Sequence, residues 1–218
     1  MCTAPQAVFV PGDGVPTDRG RLGYYEVAGA ISSAIKELTK DAEAASHVVG
    51  TIAAPDVVAR VEETSRLGEV LCPSETLGHP DFPEAQQRTP LVMAASAEQH
   101  DLWGAERFGP ISFAVRTAST QHSLELVREL STSKGALTTA VYSTSEQVLQ
   151  AAKESAVDTG VTLSINLTGD LLVNQSAAFS DFHGTGNNPA ANSALVDEAF
   201  VTGRFAIVEV RRPAAFPA

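Results

Sequence analysis

From Ile111 to Ile165 the chain alternates strand-like and helix-like patterns, and this stretch limits the fold more than any other. Ile111–Val115 is a short apolar run. Leu124, Val127 and Leu130 then recur at helical spacing. Leu137–Tyr142 reads as a strand, and Ser143-Thr144-Ser145-Glu146 as a capping box opening another helix. That helix carries Leu149, Ala152 and Ala156 on one side and stops at Gly160. Val161–Ile165 follows as a third strand. Strand, helix, strand, helix, strand at this spacing predicts two right-handed crossovers and a parallel sheet. The class is α/β: a three-layer α/β/α domain with a mostly parallel sheet.

Upstream, Ala7–Val10 is a branched and aromatic apolar run, followed by a turn-rich loop from Pro11 to Pro16. Tyr24, Val27, Ala28, Ile31, Ala34, Ile35 and Leu38 predict one helical face, with Ser32, Lys36 and Glu37 on the other. Pro55 and Asp56 open a second helix with Val57, Val58 and Val61 inward, ended by Gly68. Glu69–Leu71 and Leu91–Ala95 read as strands, and the polar, proline-punctuated stretch from Pro73 to Pro90 as a long loop. Glu98–Trp103 reads as a helical turn. Phe205–Val210 is a late strand ended by Pro213. The expected organisation is therefore an α/β domain over residues 1–203 and a strand-like oligomerisation tail over 204–218. The apolar edge of a lone tail strand predicts association, most simply as a two-fold dimer.

A length of 218 residues is enough to bury one sizeable core. A formal charge of −11 argues against nucleic acid or an anionic membrane surface as partner. No run reaches bilayer length, and the first residues lack a basic region followed by an apolar one. Cys2 and Cys72 make no disulfide framework, so a reducing cytoplasm is the expected compartment. His47, His79, His100, His122 and His183 are scattered without ligand spacing, and no metal is expected. Cys72 before Pro73 reads as a buried small hydrophobe.

Two stretches carry chemistry. Met1-Cys2-Thr3-Ala4-Pro5-Gln6 places a thiol on a small turn feeding the Ala7–Val10 strand. Only the thiolate is a strong nucleophile, and an exposed turn is where one can work. More than a hundred residues on, Glu106-Arg107-Phe108-Gly109-Pro110 leads into Ile111–Val115. Together these resemble the aldehyde dehydrogenase superfamily. There a nucleophilic cysteine precedes an apolar strand, and a glutamate, any residue and Phe-Gly-Pro precede another. The wording is closest to the phenylacetate-degradation branch, with Asn174–Pro189 especially similar. That stretch departs from the commoner pattern: Ala178 replaces a proline, Ser180-Asp181 a glycine pair, and His183 a lysine.

The resemblance implies Cys2 as nucleophile, its own backbone N–H as one oxyanion donor, and a thiohemiacetal and thioester on its sulfur. It implies that Glu106 accepts hydrogen bonds from the hydroxyls of the nicotinamide ribose and that Phe108 packs beside the nicotinamide. A carboxylate suits two adjacent hydroxyls because it accepts from both. The implied cofactor is NAD or NADP, and the implied substrate is an aldehyde or semialdehyde from aromatic-acid breakdown. Asn166 matches an asparagine of the family with a structural role. The resemblance covers nearly all of this chain but only about the last two-fifths of such an enzyme. The coenzyme domain, the base that activates water and the second oxyanion donor are expected upstream, on a separate or removed half. The isolated chain is accordingly expected to be inactive. Two other readings stay open: a non-catalytic assembly domain that binds a full-length subunit, and a thiol hydrolase pairing Cys2 with a histidine.

Overall fold

The computed structural model describes residues 4–168 and the backbone of Val208–Val210. In chain order the elements are β1 (Ala7–Pro11), β2 (Val15–Thr17), β3 (Gly20–Leu22), α1 (Tyr24–Leu38), α2 (Ala42–Val48), α3 (Pro55–Thr64), β4 (Val70–Cys72), β5 (Thr76–Leu77), β6 (Gln87–Arg88), β7 (Leu91–Ser96), α4 (His100–Trp103) and β8 (Ile111–Thr117). They continue with α5 (Thr120–Lys134), β9 (Thr138–Val141), α6 (Glu146–Thr159), β10 (Thr162–Ile165) and β11 (Val208–Val210). Two compact units result, one running to Ser123 and the other starting at Leu124, with the boundary inside α5.

The first unit is built on a four-stranded sheet in the order β1-β8-β7-β4. β1, β8 and β7 run parallel, and β4 joins antiparallel at the edge. Leu91, Val92, Met93 and Ala95 of β7 are all buried, the near-continuous apolar run expected of a parallel strand covered on both faces. Val10, Val92, Ala114 and Cys72 pack with Tyr24 and Ala28 of α1 in one cluster. The Tyr24 hydroxyl donates to the Ala114 carbonyl at 2.7 Å, so the ring reaches the middle strand without stranding its polar tip.

The buried stripe of α1 is narrower than its apolar pattern predicts. Ser32 lies inside and Ala34 and Leu38 lie outside. Burial of Ser32 costs little because its hydroxyl donates to Ala28 O at 3.0 Å within the helix. Glu26 accepts from the Gly23 N–H at 2.7 Å and closes the first turn. α3 begins at Pro55 as expected and buries Val57, Val61 and Thr64, but it ends at Thr64, four residues before Gly68.

Three small elements escape the sequence reading. α2 has Asp41 at its N-cap, accepting from Ala44 N at 2.8 Å. The loop after β1 holds the β2–β3 hairpin, whose turn is closed by Thr17 Oγ1 donating to Gly20 O. The stretch from Pro73 to Pro90, read as a loop, contains the β5–β6 ladder.

The second unit has a three-stranded parallel sheet in the order β11-β10-β9. Leu149, Ala152 and Ala156 of α6 bury against Leu163 and Ile165, with Leu124 and Val141 alongside. Gly160 ends α6 at φ 67°, a left-handed position natural to glycine. The N-cap is Ser145, whose side chain accepts from Val148 N, and Ser143 instead accepts from Ser145 N. The expected capping box at Ser143 is not formed: the N-cap stands two residues later and Glu146 takes the first position of the helix. The alternation from Ile111 to Ile165 does not form one ladder either. β8 bonds to β1 and β7, whereas β9 bonds to β10. Alternation sets crossover handedness but not which strand becomes whose neighbour, and here β8 takes both partners from earlier in the chain. The tail strand is not alone: Val208–Val210 pairs with Leu163–Ile165. Phe205 and Ile207 lie outside the described residues.

Asn166 follows β10 at φ 52°, left-handed for a non-glycine residue. Its side chain accepts from Ser143 N and donates to Ser143 O, both at 2.9 Å, and its own N–H donates to Val141 O at 2.9 Å. The amide thus fastens the exit of β10 to the exit of β9, and asparagine tolerates this backbone better than most residues. Asn166→Ala removes both side-chain bonds and keeps the strain. We expect a loss of about 2–4 kcal/mol, read by urea denaturation.

Candidate active site

Glu106 and Phe108 stand on the short segment between α4 and β8, at the amino edge of the first sheet. That segment is fixed at several points. Gln6, the residue before β1, accepts the Arg107 N–H on its side-chain Oε1 at 3.0 Å. Its backbone carbonyl accepts from Phe113 N at 3.0 Å, and the neighbouring Pro5 carbonyl accepts from the Ser112 hydroxyl. Arg107 also donates from Nε to Leu102 O at 3.1 Å, which turns its side chain back toward α4. From α3, Arg60 donates through Nη1 to Phe108 O at 2.6 Å. Pro110 O accepts from Leu91 N at 2.8 Å, joining the turn to β7.

Gly109 has φ 149°, and a Cβ placed on it would lie 3.1 Å from Val57 Cγ1. Both facts demand glycine there: the backbone is one that L-residues rarely adopt, and the space is taken. The Phe-Gly-Pro turn therefore rests on α3 through Val57 and is held by Arg60 from the same helix.

The result is an exposed carboxylate and an exposed ring on a fixed backbone. Glu106 is exposed and Phe108 is 55% exposed although it immediately precedes a buried strand. An aromatic ring left out of the core, two residues from an exposed carboxylate, fits a face that receives a ligand with both hydroxyl and flat aromatic parts. A nicotinamide riboside has that chemistry, so the residues present fit the expected cofactor. The site lies at the amino ends of β1 and β8, not in the carboxyl-end crevice where doubly wound sheets take dinucleotides.

Cys2 and the Asn174–Pro189 stretch, with His183, lie outside the described residues. Cys2 is four residues before Gln6, a span of at most about 14 Å. Gln6, where that stretch enters β1, thus lies beside the Glu106–Phe108 turn. Cys72 is elsewhere in chemical terms. It is 2% exposed, and burial pushes its thiol pKa up, with Lys36 opposing the shift. A thiol that is both covered and held protonated reacts slowly. Native iodoacetamide treatment is therefore expected to label Cys2 well before Cys72, as read by peptide mass spectrometry. Equal rates would contradict both placements.

Sequence reasoning missed Gln6 and Arg60. Each acts on a residue far along the chain, and no local pattern marks either. Among the described residues no group of three or more His, Cys, Asp or Glu is placed to hold a metal ion. No helix among them is long and apolar enough to cross a membrane.

No protein-family model and no curated protein sequence matches the chain. A solved structure does: the crystal structure of the NAD-dependent aldehyde dehydrogenase from Burkholderia multivorans, at 51% sequence identity and a TM-score of 0.84. The match covers 94% of this chain. The fold is that of the aldehyde dehydrogenase catalytic domain. The likeness supports the aldehyde dehydrogenase superfamily, in agreement with the resemblance carried by Cys2-Thr3-Ala4 and Glu106–Pro110. The chain spans 37% of the length of that aldehyde dehydrogenase.

Proposed function

We propose that this chain is the catalytic portion of an NAD-dependent aldehyde dehydrogenase, with Cys2 as nucleophile and Glu106 and Phe108 facing the coenzyme. The likeness to an NAD-dependent enzyme at 51% identity over 94% of the chain carries this reading. The convergence of the Gln6 segment on the Glu106–Phe108 turn supports it.

In this reading the Cys2 thiolate attacks the aldehyde carbon. A carbon–sulfur bond forms and the carbonyl electron pair moves to oxygen, where the Cys2 N–H donates to it. As that pair re-forms the carbonyl, the C–H bond breaks and its hydride leaves, for which NAD, when bound, would supply the acceptor; an acyl group remains on sulfur. Glu106 would accept from the ribose hydroxyls and Phe108 would pack against the nicotinamide, and both are presented by a backbone that Gln6, Arg60 and Val57 fix. Sulfur keeps the acyl carbon until water displaces it, releasing a carboxylic acid and restoring the thiol.

The phenylacetate-type wording of Asn174–Pro189 supports an aldehyde or semialdehyde from aromatic-acid breakdown as substrate. NADP is the second coenzyme to test, because the ribose 2′ site of a dinucleotide lies apart from Glu106 and Phe108. A homo-oligomer and a cytoplasmic setting complete the proposal. Among the described residues β11 stands at the edge of its sheet, where a second copy can add.

The test is NADH formation from a panel of aromatic and aliphatic aldehydes. We expect none from the 218-residue chain alone and turnover once a coenzyme-binding portion is joined to it or added in trans. NADH formation by the 218 residues alone would show that the coenzyme site has been misplaced. A joined enzyme inactive on every aldehyde would favour a non-catalytic assembly role.

A further inference from the structure

Gln6 does more than begin a strand. Its side-chain oxygen holds the Arg107 N–H, the peptide group between Glu106 and Arg107, at 3.0 Å. Its backbone carbonyl holds Phe113 N inside β8. It lies four residues after Cys2. One residue therefore touches the middle of the segment that presents Glu106 and Phe108 and the strand that follows it. Its Nε2 is buried and has no hydrogen-bond partner among the described residues, an uncommon state for an amide. A side chain kept in place at that cost is held by its other end, the Arg107 contact.

We propose that Gln6 is a positioning residue that sets the turn presenting Glu106 and Phe108. The proposal rests on the reading of Cys2, Glu106 and Phe108 given above. Its physical content is specific. The acceptor oxygen is what matters, so glutamate at position 6 retains the hold on Arg107 N–H. Methionine fills the same volume but offers no comparable acceptor, and asparagine falls one methylene short.

The experiment uses the enzyme that carries this chain together with its coenzyme-binding portion, as wild type, Gln6→Glu, Gln6→Met, Gln6→Asn and Glu106→Gln. Two readouts are taken: trypsin cleavage of the Arg107–Phe108 bond in the native protein, and steady-state KM for NAD beside kcat. We expect Gln6→Met to speed cleavage at Arg107 about tenfold or more and to raise KM for NAD by a similar factor, with kcat changed far less. Gln6→Glu should stay near wild type in cleavage. If Gln6→Met does not fold, Gln6→Asn makes the same comparison.

Wild-type cleavage in a folded Met or Asn variant overturns the proposal. So does a raised KM for NAD in Glu106→Gln with no rise in Gln6→Met, which leaves the reading of Glu106 standing. If neither variant raises KM for NAD, the assignment of Glu106 to the coenzyme fails, and this proposal fails with it.

Discussion

Cys2→Ala in the enzyme that carries this chain is expected to lower kcat for aldehyde oxidation by a factor on the order of 10⁴ or more. With Cys2 the proposed nucleophile, its removal eliminates the covalent intermediate, and residual turnover then depends on binding and oxyanion donors alone. Aldehyde and NAD binding should persist, because neither Glu106 nor Phe108 is touched. Cys2→Ser keeps an oxygen in place of sulfur, but a hydroxyl without an activating base is a weak nucleophile, so the loss should be nearly as large. Cys72→Ala serves as the control. Its thiol is buried at the join of β4 and β7, and its removal should cost stability and leave kcat within about twofold.

Gly109→Val is the second large effect. The backbone at φ 149° costs a non-glycine residue about 1–3 kcal/mol. The added side chain meets Val57 Cγ1 from a Cβ already at 3.1 Å, and forcing extra atoms into packed space costs about 1–3 kcal/mol more. We expect a total near 2–6 kcal/mol, and for a chain of this size each kcal/mol lowers Tm by about 2–4 °C. The damage should also be local. The turn must lift off α3, which pulls Phe108 O away from Arg60 and displaces both groups proposed to face the coenzyme. Thermal unfolding and KM for NAD should therefore worsen together, and Gly109→Ala should show a milder form of both. A Gly109→Val variant with wild-type Tm would mean that the turn is not seated on Val57.

How much of this was legible beforehand follows from the range of the forces involved. β1, β7, β8, α1 and α6 announce themselves through apolar runs or helical periodicity, and α3 through its opening proline, because these signals are local. Ser32 misled the reading of α1 because its hydroxyl can satisfy itself on Ala28 O, which no periodicity reveals. β2–β3 and β5–β6 are short ladders whose few bonds leave no alternation to detect. Strand order was least accessible, since β8 chooses β1 and β7 over β9 through packing across the whole unit.

The site divides in the same way. Glu106 and Phe108 were found through a short motif, and the glycine between strand and turn has its cause in the left-handed φ and the contact with Val57. The residues that hold that motif were invisible. Gln6 acts across 101 positions and Arg60 across 48, and contacts of that separation exist only once the chain has folded. The motif names the residues proposed to face the ligand. What makes the facing possible is written in the tertiary structure.

The central claim is that oxidation proceeds through a covalent bond to Cys2, and one measurement addresses it directly. The enzyme carrying this chain is mixed with NAD and a rapidly processed aromatic aldehyde, quenched in acid during turnover, and digested for mass spectrometry. The account predicts the acyl group of the corresponding acid on the peptide containing Cys2, absent without NAD and absent in Cys2→Ala. An acyl group found on another residue, or turnover with Cys2 unmodified and its alanine variant fully active, would contradict it.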